Sequence, residues 1–313
     1  DQNASLEYRI IWFHRQEGKS ISEWQILDTD FLFIDLPTDM VKPPVDIALG
    51  NGIPISTRNA LTTTSTDISN YALFFAVNQY EQTDQYSTLT NPINDAESIA
   101  QELSEHYGFQ TEVVTNPSRE EIRNKMEAYH QNFQSGAFNP NGQLFIYFSG
   151  HGDYEDLSEN GCFLPSDTQP DDLGATAFQY AYWRPRIDNI PCKHILVAID
   201  ACYSGTFDPA IAMRSGGTRR FGRPDEPSEQ EQFLADFQAR TTRLYLASGG
   251  KEKTPDRSLF AKKILEGLRV TGTNEVLTVG QLYENHVRRT RPLPLIGEFG
   301  SDEAGSNFLF IKL

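Results

Sequence analysis

Two residues of this sequence have types and positions that could do chemistry together. Cys202 lies in Asp-Ala-Cys-Tyr-Ser-Gly, directly after the apolar run HILVAI, and His151 lies in Ser-Gly-His-Gly, directly after LFIYF. A thiol attacks a carbonyl well only as its thiolate, and a neighbouring imidazole can accept the thiol proton. The pair, about fifty residues apart, therefore predicts nucleophilic catalysis at a site that the fold must assemble.

Each residue also has a simple structural interpretation. A single cysteine is most often a small buried hydrophobe, and a histidine in a turn often makes one structural hydrogen bond. These interpretations weaken together, because both residues are polar groups that end apolar strands and both lie near glycines that permit close backbone approach. The backbone amides of Gly152 and Cys202 are our candidates for binding an oxyanion.

The elements that must position these residues alternate between strand and helix from Tyr71 onward. The predicted strands are YALFFAV, QTEVVT, GQLFIYF, KHILVAID, RLYLA and SNFLFIKL. The predicted helices are INDAESIAQELSEHYG, SREEIRNKMEAYHQNF, ATAFQYAYWRPRI, SLFAKKILEGLRV and TVGQLYENHVRRT. Ser118 and Glu121 have the spacing of a capping box, and Pro185 should end or kink its helix. The alternation predicts an α/β fold with a mostly parallel sheet, whose sites lie at the carboxyl ends of the strands.

Residues 1–70 have a different character. YRIIWFHR, SEWQIL and FLFIDLP are short β-prone runs, and the turn-prone QEGKS separates the first two. A Pro-, Thr- and Ser-rich passage follows, which we interpret as a linker. We therefore predict a β-rich N-terminal segment and linker over residues 1–70 and a main domain over residues 71–313.

Composition excludes several classes of function. The net charge of −16 argues against a nucleic-acid groove and favours a cationic partner, although acidity can also serve solubility alone. No apolar run is long enough to span a membrane, and no signal peptide is present in the sequence as it stands. Three cysteines, Cys162, Cys192 and Cys202, fit neither a disulfide framework nor a metal-ligand spacing. We expect one special thiol in a reducing, cytoplasmic location.

Several ordered segments resemble the caspase-like cysteine peptidases of clan CD. They are the NPINDAESIAQEL helix start, the strand with Ser-Gly-His-Gly, the strand with Asp-x-Cys-x-Ser-Gly, LASGGKEKTPDRSLFAKKIL, and the closing PLPLIGEFG and SNFLFI. The resemblance is closer to metacaspases, paracaspases and the bacterial caspase-like group than to animal caspases, whose Gln-Ala-Cys-x-Gly pentapeptide is absent. It covers roughly residues 70–313. It implies a three-layer α/β/α sandwich and a peptidase with Cys202 as nucleophile and His151 as general base.

The resemblance also implies a specificity pocket. In the metacaspase-like branch the matching aspartates, Asp95 and Asp200 here, form an acidic S1 pocket that selects Arg or Lys before the scissile bond. Animal caspases prefer Asp and use arginines in this pocket, and we find none at the matching positions. The alternatives are that Asp95 complements a helix N-terminus and that Asp200 caps backbone amides in a turn.

Two further segments are candidates for function. Ser248, Gly249 and Gly250 resemble the loop that binds the substrate backbone as an added strand, with a plain turn as the alternative. Residues 207–241 form a long, charge-rich segment where the family has its intersubunit linker. This segment contains four arginines at which a basic-specific protease could cut itself: Arg214, Arg219, Arg220 and Arg223. A loop that stays uncut is the alternative.

We predict no required cofactor, with Ca²⁺ left open. Four aspartates offer hard oxygen donors, but they match no known calcium loop, and an acidic exposed turn is the alternative: Asp167, Asp171, Asp172 and Asp208. The expected partner is a protein or peptide substrate with a basic P1 residue, not nucleic acid or a membrane. A catalytically silent caspase-fold scaffold and an effector kept latent by an upstream sensor are the other hypotheses.

Overall fold

The structure is a computed structural model that describes residues 69–155, 159–207, 239–249, 258–273 and 275–313, together with the backbone of five short strands before residue 55. Contacts within the chain divide it into two units, Asp1–Ala48 and Leu49–Leu313. The strands in chain order are β1 (Glu7–Tyr8), β2 (Ile11–His14), β3 (Gly18–Ile21), β4 (Gln25–Ile26), β5 (Ile53–Pro54), β6 (Asn70–Ala76), β7 (Phe109–Thr115), β8 (Gln143–Ser149), β9 (Gly152–Glu155), β10 (Asn160–Phe163), β11 (Phe178–Gln179), β12 (His194–Asp200), β13 (Thr242–Ala247), β14 (Glu275–Thr278), β15 (Leu295–Glu298) and β16 (Leu309–Ile311).

The helices among the described residues belong to the larger unit. They are α1 (Pro92–Tyr107), α2 (Arg119–Ser135), α3 (Leu173–Thr176), α4 (Tyr180–Asp188), α5 (Leu259–Val270) and α6 (Val279–Leu282), with short 3₁₀ turns at Pro170–Asp172 and Ser204–Thr206. A π-helical turn, Tyr283–Val287, continues α6, so the predicted helix over TVGQLYENHVRRT is present in two parts. Within the part of the chain that is described, no helix is both long enough and apolar enough to cross a bilayer.

The smaller unit contains two antiparallel strand pairs, β1 with β4 and β2 with β3. The turn predicted over QEGKS is wrong in part, because Gly18–Ile21 pairs with Ile11–His14. Cross-strand hydrogen bonding gives these turn-prone residues a strand conformation that their own propensity does not favour. The β-prone run FLFIDLP and most of the predicted linker lie outside the described residues.

A six-stranded sheet with the order β15-β13-β12-β8-β6-β7 forms the centre of the larger unit. Its strands are parallel except β15, which is antiparallel to β13. Apolar side chains cover both faces: Ile146 packs in the same core as Ile122 of α2, and Phe145 packs in a second core with Ile99 of α1. Continuous apolar strands are what a parallel sheet buried on both faces requires. The predicted α/β/α sandwich is thereby confirmed.

The helix boundaries follow their sequence signals. Helix α2 begins with the predicted capping box, in which the Ser118 hydroxyl accepts from the Glu121 amide while the Glu121 carboxylate accepts from the Ser118 amide. Helix α1 ends at Gly108, whose φ of 66° lies in the left-handed region that glycine adopts readily. These signals are local, which is why the sequence alone locates them well.

The predicted helix over ATAFQYAYWRPRI is present but is not continuous, and its first part is wrong. Phe178 and Gln179 form strand β11 between α3 and α4, because Phe178 pairs with Phe163 of β10 and is almost fully buried there. Helix α4 then continues past Pro185 to Asp188. A proline near the end of a short helix removes only one amide donor, and the helix ends one turn later.

Two small antiparallel sheets complete the larger unit. Strands β9, β10 and β11 form one of them, and its first strand begins at Gly152, directly after His151. The other has the order β16-β14-β5, so that Ile53 and Pro54 pair with Val276 and Glu275. The first of these sheets therefore sets the direction in which the chain leaves His151.

Candidate active site

The ends of two adjacent strands bring the predicted dyad to one edge of the sheet. Strands β8 and β12 are parallel neighbours, and their last residues, Ser149 and Asp200, are paired in register. The amide of Gly150 donates to the carbonyl of Asp200 at 3.2 Å, which joins the two strand ends directly. His151 lies two residues after Ser149, and Cys202 lies two residues after Asp200, so the fold places their segments side by side.

The backbones of Gly152 and Cys202 are in direct contact. A β-carbon added at Gly152 would overlap the carbonyl oxygen of Cys202 and would lie 3.0 Å from its amide nitrogen. Only glycine permits this approach. Cys202 itself is buried, with 8% of its surface exposed.

His151 is held at two points by one segment of chain, residues 77–91, which connects β6 to α1. Its backbone amide donates to the hydroxyl of Tyr80 at 2.7 Å, and its ring Nε2 lies 2.8 Å from the carbonyl oxygen of Ser87. A carbonyl can only accept, so Nε2 must carry the ring hydrogen in this contact. In the neutral imidazole, Nδ1 is then the basic nitrogen.

The other two cysteines lie in environments that suppress thiolate formation. Burial, together with the charge of Asp153, raises the pKa of Cys162 to about 12. Burial also raises the pKa of Cys192 to about 12. Both sulfurs make backbone hydrogen bonds, Cys162 to the carbonyl of Asp153 and Cys192 to that of Gly142. These two thiols are structural, as expected for buried cysteines.

A tight turn follows Cys202 and contacts the segment predicted to bind the substrate backbone. Tyr203 has φ of 58°, a left-handed conformation that is unusual for a residue with a side chain. The buried hydroxyl of Ser204 donates to the carbonyl of Gly249 at 3.2 Å and accepts from the amide of Gly249 at 3.3 Å. The amide of Ser248 donates to the carbonyl of Ile199 at 2.9 Å. Residues 248 and 249 are thus hydrogen-bonded to the segment around Cys202, whereas Gly250 lies outside the described residues.

Asp200, the last residue of β12, is a buried carboxylate that lies next to the first turn of α5. Its Oδ2 accepts from the Tyr147 hydroxyl at 3.4 Å, and its Oδ1 has no partner within hydrogen-bonding distance among the residues described. Burial raises the pKa of Asp200 to about 6. Nearby hydrogen-bond donors oppose this rise and lower the pKa: the hydroxyls of Ser258, Ser248 and Tyr147 and the backbone amide of Ala261. An under-satisfied buried carboxylate favours a cationic or hydrogen-bond-donating partner.

Asp95 lies close to the same phenol. It is half-buried in the first turn of α1, where its amide donates to the carbonyl of Asn91 at 2.9 Å. Tyr147 is fully buried, and burial followed by the charges of Asp200 and Asp95 holds its pKa well above the usual range. The charges of the two predicted S1 aspartates therefore act on one buried tyrosine, although Asp95 also occupies the helix-terminal position that its structural interpretation requires.

Some predicted residues fall elsewhere. The four arginines of the predicted cleavage loop and Asp208 lie outside the described residues, as do most of residues 207–241. Asp167 accepts from the Arg119 amide and Asp172 caps α3, so two of the calcium candidates have structural roles. No cluster of three or more potential metal-binding side chains occurs in the described ranges.

Sequence reasoning missed four residues that contact the predicted site: Tyr80, Ser87, Tyr147 and Ser204. Tyr80 could have been found, because it follows the predicted strand YALFFAV. Sites in a parallel sheet lie at the carboxyl ends of the strands, and this applies to Tyr80 as it does to His151. Ser87 contributes only its backbone carbonyl, a role that no residue type signals. Tyr147 lies within a strand that reads as uniformly apolar, and Ser204 acts through a contact 45 residues away.

Comparison with known proteins agrees with this architecture. Residues 69–290 match the caspase domain of peptidase family C14, so the chain belongs to the caspase-domain family. Members of this family are typically cysteine peptidases. A search of curated proteins finds no match. A crystal structure of a protein from Geobacter sulfurreducens has a TM-score of 0.50 at 16% identity, covering 78% of this chain and 97% of that one. Caspase-1 from Spodoptera frugiperda has a TM-score of 0.46 at 17% identity, covering 74% of this chain and 87% of the other.

Proposed function

We propose that this chain is a cysteine endopeptidase in which Cys202 is the nucleophile and His151 the general base. The observation that carries the proposal is the contact between His151 Nε2 and the Ser87 carbonyl, 2.8 Å away. That contact selects the tautomer whose Nδ1 can accept a proton, on a segment whose backbone touches that of Cys202. Orientation of the base by a third group is the usual arrangement in a nucleophile–base pair.

The proposed reaction has two balanced halves. The Cys202 thiol gives its proton to His151 Nδ1, and the sulfur attacks the substrate carbonyl to form a tetrahedral oxyanion. The amides of Gly152 and Cys202 stabilise that oxyanion. Collapse breaks the peptide bond as the imidazolium protonates the leaving amine, which leaves a thioester. Water, deprotonated by His151, then attacks the thioester carbonyl. The C–S bond breaks, the carboxylic acid product leaves, and the imidazolium returns its proton to the sulfur to restore the thiol.

The proposed substrate is a protein or peptide with Arg or Lys at P1. Support comes from the carboxylates of Asp200 and Asp95, whose charges both act on the buried Tyr147, and from the unfilled hydrogen-bonding capacity of Asp200 Oδ1. A guanidinium can satisfy such a carboxylate with two parallel hydrogen bonds. Ser248 and Gly249, tied to the turn after the nucleophile, would pair with the substrate backbone as an added strand.

Activation is proposed to involve cleavage after one or more of Arg214, Arg219, Arg220 and Arg223, either by the enzyme itself or after release by an upstream sensor. The support is chemical: an enzyme that selects arginine carries four of them in one segment of its own chain. We propose that the reaction needs no cofactor, and activity in the presence of a calcium chelator tests this directly.

Fluorogenic peptides with Arg, Lys or Asp at P1, offered to the wild type and to Cys202→Ala, test the proposal. We expect Cys202-dependent cleavage after Arg and Lys only. Cleavage after Asp would overturn the S1 assignment and leave the dyad standing. No Cys202-dependent cleavage of any peptide, before or after treatment with trypsin at low ratio, would favour a caspase-fold scaffold that binds partners without cutting them.

A further inference from the structure

The histidine of the proposed dyad, His151, makes one contact through its backbone amide and one through its ring. Residues 77–91 contribute both contacts: the Tyr80 hydroxyl accepts from the His151 amide at 2.7 Å, and the Ser87 carbonyl faces Nε2 at 2.8 Å. The Ser87 contact alone restrains one ring atom, about which the ring can still pivot. The amide contact restrains the backbone from which the ring projects, so the two together define the position of Nδ1.

Tyr80 is buried and closely packed in this position. It is 4% exposed, and its ring centroid lies 4.9 Å from that of His151. A β-carbon added at Gly150 would lie 2.8 Å from the Tyr80 hydroxyl oxygen, so the missing side chain at Gly150 makes room for that oxygen beneath the turn. The segment is itself anchored, since the Glu81 amide donates to the Ser166 carbonyl and the Leu89 amide to the Asn78 carbonyl.

The phenol acts as a neutral acceptor. Burial raises the pKa of Tyr80 well above its usual range, and the neighbouring charge of Cys202 raises it further. The hydroxyl is therefore neutral at neutral pH, and its oxygen is the acceptor for the His151 amide.

We propose that Tyr80 is a positioning residue for the general base: by holding the His151 amide, it keeps Nδ1 directed at the Cys202 thiol. The inference rests on the proposed dyad and deepens it. Catalysis by a positioned base is sensitive to displacements of an ångström or less, so a residue that never touches substrate can control the rate.

The test measures the rate at which iodoacetamide alkylates Cys202 as a function of pH, in wild type, His151→Ala, Tyr80→Phe and Tyr86→Phe. Peptide mapping by mass spectrometry follows Cys202 alone, and burial protects Cys162 and Cys192 from the reagent. Tyr86→Phe is the matched control, because it removes a hydroxyl from the neighbouring ring, 6.2 Å from His151 between centroids. The assay needs no peptidase substrate.

We expect Tyr80→Phe to lower the alkylation rate at neutral pH by about tenfold and to raise the pH midpoint, because a displaced imidazole stabilises the thiolate less well. Tyr86→Phe should match the wild type, and His151→Ala should raise the midpoint at least as much as Tyr80→Phe. With a cleavable peptide, Tyr80→Phe should lower kcat and leave KM within about twofold.

The outcomes separate the two proposals. A shifted midpoint in His151→Ala with wild-type behaviour in Tyr80→Phe overturns the positioning role and keeps the dyad. No shift in His151→Ala overturns the dyad and, with it, the inference. Thermal unfolding identifies any variant that fails to fold. In that case Tyr80→Met, which removes the hydroxyl acceptor and keeps an apolar side chain at the site, must raise the midpoint in the same direction.

Discussion

The α-carbon of Gly152 packs against the backbone carbonyl of Cys202, so that the segments carrying the proposed base and nucleophile are in van der Waals contact. We expect Gly152→Ala to separate them, lowering the free energy of unfolding by about 1–3 kcal/mol and slowing Cys202 alkylation. Denaturant unfolding and the alkylation assay measure the two effects. Gly174→Ala is the control, since an added β-carbon there meets nothing closer than 3.9 Å. Equal behaviour of the two variants would contradict the prediction.

Asp200 should make stability depend on pH. Its folded pKa is about 6, above the ordinary carboxyl value of 3.8. Between these values the unfolded chain releases a proton that the folded chain retains, so stability present at low pH is lost as the pH rises through about 6. Asp200→Asn removes this titration. Relative to the variant, the wild type should lose about 2–3 kcal/mol of unfolding free energy between about pH 4 and pH 7. A difference that stays constant over this range would count against the raised pKa.

The same carboxylate should make recognition of arginine depend on pH. Protonation of Asp200 below about pH 6 removes a negative charge from the proposed S1 pocket. We expect KM for a P1-Arg peptide to rise about tenfold between pH 7.5 and pH 5, and KM for the neutral P1-citrulline analogue to stay flat. Asp95→Asn should raise KM for Arg at every pH. If Arg and citrulline peptides respond alike, the acidic pocket is wrong.

Ser204 should link the turn after Cys202 to the proposed substrate binding. Ser204→Ala removes both hydrogen bonds to Gly249 and should lower the free energy of unfolding by about 1–2 kcal/mol and raise KM several-fold. Thr206→Val is the matched control, because its hydroxyl bonds only within the same turn, to the Tyr203 carbonyl at 2.7 Å. Steady-state kinetics should show the KM effect in the Ser204 variant alone. A KM change of the same size in Thr206→Val would assign the effect to the turn as a whole.

Autocleavage predicts a specific fragment pattern. Intact-mass measurement of active protein should find cuts after one or more of Arg214, Arg219, Arg220 and Arg223, and Cys202→Ala should stay uncut under the same conditions. Replacing the four arginines with alanine in a chain that keeps Cys202 should also prevent cutting. A single intact mass in a sample that cleaves P1-Arg peptides would remove autocleavage from the proposal.

The features that the sequence predicts well depend on local patterns. The apolar strands ending at Ser149 and Asp200 and the capping box at Ser118 are each complete within a few residues of the chain. Because the carboxyl ends of parallel strands meet at one edge of the sheet, these patterns are enough to place His151 and Cys202 at the same edge.

The features that the sequence does not predict depend on pairing between distant residues. Phe178 becomes a strand because Phe163 supplies its partner and its burial, which overrides the helical pattern around it. The two groups that hold His151 lie 71 and 64 residues before it, and one of them is a backbone carbonyl with no signature in the sequence. Tertiary context of this kind routinely exceeds local propensity.

The pairing of Ile53 and Pro54 with β14 has a practical consequence for making the protein. A fragment that starts where the family match starts, at residue 69, would lack β5 and leave one side of β14 without its partner strand. An uncovered strand edge is a template for edge-to-edge aggregation. Expression of the caspase-domain unit for crystallisation should therefore begin at or before Leu49, and the shorter fragment should show the lower soluble yield.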